Sequence, residues 1–406
     1  MRGGHLVLGL IASLLVVAGT SPAATAIEQG GSSPIEIKLA KALASPGIDP
    51  RRASAFAVDL RTGQVVFQRR SRLSLAPASA EKLAVAFGAL RLLGPRYRFR
   101  TEVRGSGDLV GGIWKGDLYL VGLGDPTLRI RDLDALARKV EATGIRRVAG
   151  SVVGDEQRFD ARRGAPGWKP SFLGIESPPL SALTVEDVPA TTVDGSAAAA
   201  AAAFTAALER NGVAVAGAPE AGGTPAGLVR LALDLSAPLS SIVVRMNRTS
   251  DNFISEMVLK ELGAAVVGRG TTAAGTVAVR GALADAGVPL QGVRVVDGSG
   301  LSPLDRMTVK ALVVILRAAE SDPGIRDVFV ASLPVSGVSG TLRHRLDGRV
   351  TRGKVAAKTG TTSQASALAG FVKRRYVFAI LQNGSPVAYW YAREAQDRFV
   401  TVLARS

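Results

Sequence analysis

Cysteine is absent from all 406 residues. The chain can close no disulfide, so its stability must come from a packed apolar core. That constraint matters because the N-terminus reads as an export signal. Arg2 and His5 form a short basic start, residues 6–17 form an apolar run too short to span a bilayer as a stable helix, and Ala24-Thr25-Ala26 offers a small-x-small cleavage pattern. Residues 1–26 are therefore predicted to be a signal peptide, with a retained membrane anchor as the alternative. The mature protein is expected outside the cytoplasm, in the periplasm or cell wall. No later stretch reaches the roughly 18 uninterrupted apolar residues that a membrane helix needs. A length of 406 with 47% apolar and 21% charged residues fits a globular chain of two domains or more.

Histidine is almost absent too. His5 lies in the export segment, and His344 is the only other. Thiol nucleophiles and Cys-based zinc sites are excluded, and a His-based metal site would have one candidate ligand. Hydrolytic chemistry in this chain must deprotonate its nucleophile without imidazole, unless His344 alone serves. The formal charge of +16 favours contact with anionic wall polymers or a membrane surface. An Arg-rich composition accounts for it equally well, because arginine is scattered rather than clustered. No motif supports binding to nucleic acid.

Residues 54–67 read as a hairpin around Arg61-Thr62-Gly63. Pro77-Ala78-Ser79 then opens an apolar helix to about Leu93, closed by Gly94-Pro95. From residue 96 to about 235, short strands and glycine turns dominate, with a helix from 128 to about 142. The alanine run 197–203 is expected to be a packed helix, capped by Ser196, carrying Phe204 and Leu208 inward and ending at Asn211-Gly212. Helices return after 240. One covers 252–262, with Ile254, Val258 and Leu262 on one face and Gly263 closing it, and another lies within 270–287. Two strands at 367–372 and 376–381 join through Lys373-Arg374-Arg375, and a last helix covers 389–404. The layout predicts an α/β (α+β) domain in two pieces, 34–95 and 240–406, interrupted by an inserted strand-rich domain, 96–239.

Three short motifs carry the chemistry: Ser79-Ala80-Glu81-Lys82, Ser250-Asp251-Asn252 and Lys358-Thr359-Gly360. Each is the only match to its pattern (S-x-x-K, S-x-N, K-[ST]-G), and chance gives a joint expectation of only about 0.05. Ser79 and Lys82 lie one helical turn apart, so their side chains share a face. A neutral amine beside a hydroxyl can replace histidine as base. Lys358, if near, would lower the Lys82 pKa by like-charge repulsion. The Ser79 N–H at a helix start offers half an oxyanion hole, and the N–H of Thr361 on an edge strand would offer the other half. Taken singly the motifs have plain alternatives: a helix cap at Ser79, a solvated Lys82, a helix start at 250–252 and a turn at 358–360. Their coincidence points to catalysis.

The same trio marks penicillin-binding proteins and β-lactamases. The longer contexts resemble the low-molecular-mass, class C penicillin-binding proteins, a family of serine D-Ala-D-Ala carboxypeptidases and endopeptidases. Those contexts are Leu75-Ala76-Pro77-Ala78-Ser79, Gly124-Asp125-Pro126-Thr127-Leu128, Ser250-Asp251-Asn252-Phe253-Ile254-Ser255-Glu256-Met257, Asp297-Gly298-Ser299-Gly300-Leu301-Ser302, Ser339-Gly340-Thr341-Leu342 and Ala357-Lys358-Thr359-Gly360-Thr361. The resemblance implies a β-lactamase/transpeptidase-like domain, an antiparallel sheet flanked by helices. It implies peptidoglycan stem peptides as substrates, acylation by β-lactams, and no metal or organic cofactor. By it, Ser79 is the acylated nucleophile and Lys82 its base, Ser250 relays a proton to the leaving amine, and Asn252 binds the substrate amide and orients Lys82. Lys358, Thr359 and Thr361, with Gly360 between them, hold the terminal carboxylate. The stretch between Lys82 and Ser250 is shorter than that family's usual insertion of two domains, so the smaller of the two is expected to be missing or trimmed. A class A β-lactamase would need a Glu-x-x-Leu-Asn loop, and no Asn occurs between Asn252 and Asn383. A non-catalytic peptidoglycan-binding relic is the remaining alternative. A P-loop-like stretch at 348–355 lacks the Ser/Thr that would meet magnesium.

Overall fold

The C-terminal strands are apolar at nearly every position, which is the pattern of strands covered on both faces. The computed structural model describes residues 33–190 and 192–406 and shows why. Residues 34–406 form one compact unit. The expected signal segment lies outside the described residues.

The described chain begins with α1 (Pro34–Leu43), the hairpin β1 (Ala53–Asp59) and β2 (Val65–Arg69), and α2 (Lys82–Leu92). Six short strands and one helix follow: β3 (Arg100–Gly105), β4 (Leu109–Val110), β5 (Ile113–Trp114), β6 (Leu118–Gly122), α3 (Ile130–Glu141), β7 (Arg147–Val148) and β8 (Val152–Asp155) lead to α4 (Ser196–Arg210) and β9 (Ala214–Val215). Then come β10 (Glu220–Ala221), β11 (Val229–Leu235) and five helices: α5 (Leu239–Thr249), α6 (Asn252–Leu262), α7 (Thr272–Asp285), α8 (Val309–Ser321) and α9 (Arg326–Ser332). Strands β12 (Val355–Thr361), β13 (Ala365–Val372) and β14 (Tyr376–Asn383) precede α10 (Tyr389–Arg405).

One five-stranded sheet runs β12-β13-β14-β1-β2, antiparallel throughout. Alternation along β14 divides its side chains between two cores. Val377, Ala379 and Leu381 join the helical core built from α2 and α5 to α9, while Tyr376, Phe378 and Ile380 pack under α1 and α10. The fold is thus the mixed, helix-flanked antiparallel architecture expected. A second sheet, β10-β8-β6-β3-β11, and a small one, β4-β5-β7-β9, lie between α2 and α5 in sequence. Helices α3 and α4 cover a third core with them.

The alanine run is a packed helix, with Ala197, Ala200, Ala201, Phe204 and Leu208 buried. Ser196 does not cap it, since Gly195 holds that position and no side chain caps the helix. The expected face of α6 is buried, but so is every residue from Phe253 to Leu262. Gly263 does not close that helix. The chain continues in a π turn to Val267, and Gly268 at φ +81° ends it. Gly263 is needed for a close approach, because a Cβ there would sit 2.6 Å from the Arg269 carbonyl oxygen.

Candidate active site

The segment before α2 is a 3₁₀ turn, Ala78–Glu81, so Ser79 precedes the α-helix instead of starting it. Its hydroxyl caps nothing. Ser79 Oγ instead lies 3.1 Å from Lys82 Nζ. Lys82 is not solvated but fully buried. Its amine also donates to Asn252 Oδ1 at 2.8 Å and to the Ser299 carbonyl at 2.7 Å. Three N–H groups thus meet three acceptors.

Asn252 begins α6, where Asp251 is the cap, accepting from the Ile254 N–H at 2.9 Å. Just before it, Ser250 takes the left-handed conformation, φ +61°, and ends α5. That turn points Ser250 Oγ at Lys358, whose Nζ donates to it at 2.8 Å and to the Thr359 carbonyl at 2.8 Å. Lys358, Thr359, Gly360 and Thr361 do not form a turn; they end β12, the edge strand of the main sheet. The Ala357 N–H bonds outward, to the Pro334 carbonyl. By antiparallel alternation the N–H and C=O of Thr359 and Thr361 also face outward, on the open stretch of that edge. Gly360 lets the strand lie against the nucleophile turn: a Cβ there would sit 2.8 Å from the Pro77 carbonyl oxygen and 3.0 Å from the Ser79 nitrogen. The structure therefore brings all three motifs into one cleft.

Burial pushes the Lys82 amine down to about 8, against the pull of Asp297, Glu256, Asp251 and Glu81, which favour its charged form. The expected cause was the charge of Lys358. Removal from water is the main cause, and the repulsion shows on Lys358, which burial and then the Lys82 charge hold well below the usual lysine range.

Several contacts were not foreseen. Asn252 Nδ2 donates to the Glu176 carbonyl at 3.0 Å, so a loop from the strand-rich segment orients its amide. Trp168 of that loop donates to Asp297 Oδ2 at 2.8 Å. Thr341 Oγ1 meets Thr359 Oγ1 at 2.7 Å. The Ser299 carbonyl and the Glu176 carbonyl are backbone groups with no residue signature. The stretches around 297–302 and 339–342 were the available signal. A cavity of about 360 Å³ beside the cleft is lined by Ala78, Phe172, Glu176, Gly300, Thr361 and neighbouring residues.

A buried amine on a serine, backed by a second buried amine on a second serine, defines a serine acyl-transfer enzyme that works without histidine. The sequence matches the D-Ala-D-Ala carboxypeptidase 3 (S13) family over residues 35–188 and 186–406, and the chain belongs to that family of hydrolases. It is 32% identical to a D-alanyl-D-alanine carboxypeptidase of Actinomadura sp. (strain R39), over 91% of this chain and 85% of the relative. That alignment spans 456 positions, more than the chain contains, so the relative carries stretches that this chain lacks. A carboxypeptidase, DacB, of Mycolicibacterium smegmatis is 31% identical over 95% of this chain and 88% of its own length. The fold matches the crystal structure of penicillin binding protein 4 from Haemophilus influenzae with a TM-score of 0.80 at 21% identity, covering 92% of this chain and 99% of that one. Families of this kind act in the cell envelope. No helix of the described residues is long and apolar enough to cross a membrane.

Proposed function

We propose that the chain removes the terminal D-Ala from peptidoglycan stem peptides through an acyl-enzyme on Ser79. The observation that carries this reading is the 3.1 Å contact of Ser79 Oγ with an amine held by two further acceptors. At neutral pH about a tenth of such amines are neutral when the pKa is near 8, enough for a base in rapid exchange. Lys82 takes the Ser79 proton as Oγ attacks the penultimate carbonyl. The N–H groups of Ser79 and Thr361 stabilise the oxyanion. Ser250, joined to Lys358, passes a proton to the departing D-Ala nitrogen, and water then hydrolyses the ester. Lys358, Thr359 and Thr361 hold the substrate carboxylate. Cleavage of cross-links uses the same chemistry on a longer leaving group.

A β-lactam presents the same carbonyl and carboxylate and is expected to acylate Ser79; the Haemophilus influenzae protein has been solved with a β-lactam. We assign 1–26 to export, 34–95 with 240–406 to catalysis, and 96–239 to an inserted domain whose 168–176 loop walls the cleft. Mass spectrometry of a penicillin adduct tests the assignment. One adduct on Ser79 is expected, with neither adduct nor D-Ala release in Ser79→Ala. An adduct on another serine, or steady rapid turnover of a chromogenic cephalosporin, defeats it.

A further inference from the structure

Helix α6 carries Asn252, Glu256 and Lys260 at four-residue spacing, hence on one face. Glu256 and Lys260 are fully buried. Lys260 grips the strand-rich segment, pairing with Asp160 and donating to the Arg162 carbonyl at 3.0 Å. Asn252 touches Lys82 directly. Glu256, between them, touches no reacting group. Its Oε1 accepts the N–H groups of Gly298 and Ser299 at 2.9 and 2.8 Å. The preceding Ser255 donates to the Gly298 carbonyl at 2.6 Å. One turn of α6 therefore clamps both sides of the Gly298–Ser299 link. The next carbonyl along, Ser299 O, is the third acceptor of Lys82; its own peptide is anchored on the far side, where the Gly300 N–H donates to Asp297 Oδ1 at 2.7 Å, so the clamp sets it through the Ser299 backbone.

We propose that Glu256 is a positioning residue for acylation, holding the Ser299 carbonyl so that the Lys82 amine stays on Ser79. The proposal rests on Lys82 being the base. An ammonium with three fixed acceptors cannot turn; with two it can swing off the serine. The clamp works through hydrogen bonds rather than charge. Burial, then Asp297, pushes the Glu256 carboxyl up to about 8, so near neutral pH it is largely a neutral acid. It lies among Asp297, Glu81 and Lys260. Lys82 itself faces Glu81 from its own turn, Asp251 and Glu256 from α6, Asp297 from the 297–302 loop and Lys358 from β12.

The test measures the second-order rate of acylation by fluorescent penicillin from pH 6 to 9, per acylatable molecule, in the full chain. Glu256→Gln keeps the acceptor and is expected within about threefold of the parent at every pH. Glu256→Ala is expected to reach the same final labelling about 10²-fold more slowly. Its pH midpoint should move lower, because the lost acceptor stabilised the charged amine. Loss of folding alone would lower final labelling and leave the midpoint in place. An unchanged rate and midpoint in Glu256→Ala overturns the proposal, as does a Glu256→Gln variant as slow as the alanine. If Glu256→Ala does not fold, Ser255→Ala cuts the other side of the clamp and should slow acylation about tenfold; an unchanged rate overturns the proposal equally. Should Lys82 not be the base, the parent itself would lack the rise toward pH 8, which separates that failure from this one.

Discussion

Lys82 and Lys358 are both fully buried, yet their surroundings differ in kind. Four carboxyl groups bear on Lys82 and pull its pKa back up to about 8. The charge that bears on Lys358 is that of Lys82, and it repels. The oxygens Lys358 does meet, Ser250 Oγ and the Thr359 carbonyl, are neutral. The contrast teaches how one residue type is given two tasks. Lys82 is ringed by carboxyl groups, two of which, Glu81 and Glu256, burial pushes toward their neutral form, and in the proposed mechanism it trades a proton. Lys358 lacks a counter-charge among the described residues, and in the proposed mechanism an incoming carboxylate supplies it and draws the amine toward its charged form.

The comparison can be broken most directly at Lys358. Lys358→Ala should lower kcat/KM on a peptide ending in a free D-Ala carboxylate by about 10²- to 10³-fold, the usual result of removing one partner of a buried charge pair. The same peptide amidated at its end should lose far less, and equal losses would contradict the division of roles. A smaller effect concerns Lys82. In the proposed mechanism its neutral form is the base, so acylation should rise with pH through a midpoint near 8 and gain about 50-fold between pH 6 and 8. Stopped-flow labelling with a penicillin reads this, and a flat or falling profile would remove Lys82 from the role.

The smallest effect sharpens which carboxyls near Lys82 are charged. Glu81 is fully buried, its oxygens have no hydrogen-bond partner, and burial with nearby Asp297 raises its pKa well above normal. A raised folded pKa means that Glu81 takes up a proton on folding at pH values between its unfolded and its folded value. Stability from this group is thus present in acid and lost as pH rises. Glu81→Gln abolishes that slope and should raise Tm by about 2 °C at pH 8 and not at pH 4. Thermal melts showing an equal shift at both pH values would count against a protonated Glu81.

The sequence made the proposed reacting side chains legible because three- and four-residue spacings survive folding. Ser79 and Lys82 had to share a face in any helical turn, and Phe204 and Leu208 had to turn inward on any helix. What it concealed came from loops and from backbone. Nothing in the letters of Ser299 says that its carbonyl will meet an amine, nor that Glu176 will orient Asn252. Glu256 lies in the 250–257 stretch that carries the family resemblance, yet its letters assign it no task, since its contacts are to peptide N–H groups remote in sequence. Ser196 and Gly263 misled for a related reason. Capping and closing are local rules, and at both places tertiary approach decided the outcome.

The order of strands has a consequence for how the molecule comes into being. Ala53–Asp59 lies between the 65–69 strand and the C-terminal strand, pairing with residues 376–382. Half of its hydrogen-bonding partners are therefore made last. A chain delivered N-terminus first, from a ribosome or through an export pore, cannot finish its central sheet until nearly the whole polypeptide has emerged. Such long-range pairing folds slowly. The architecture that joins the two halves of the active site also delays its own closure, and an enzyme that cuts only once complete stays silent in transit.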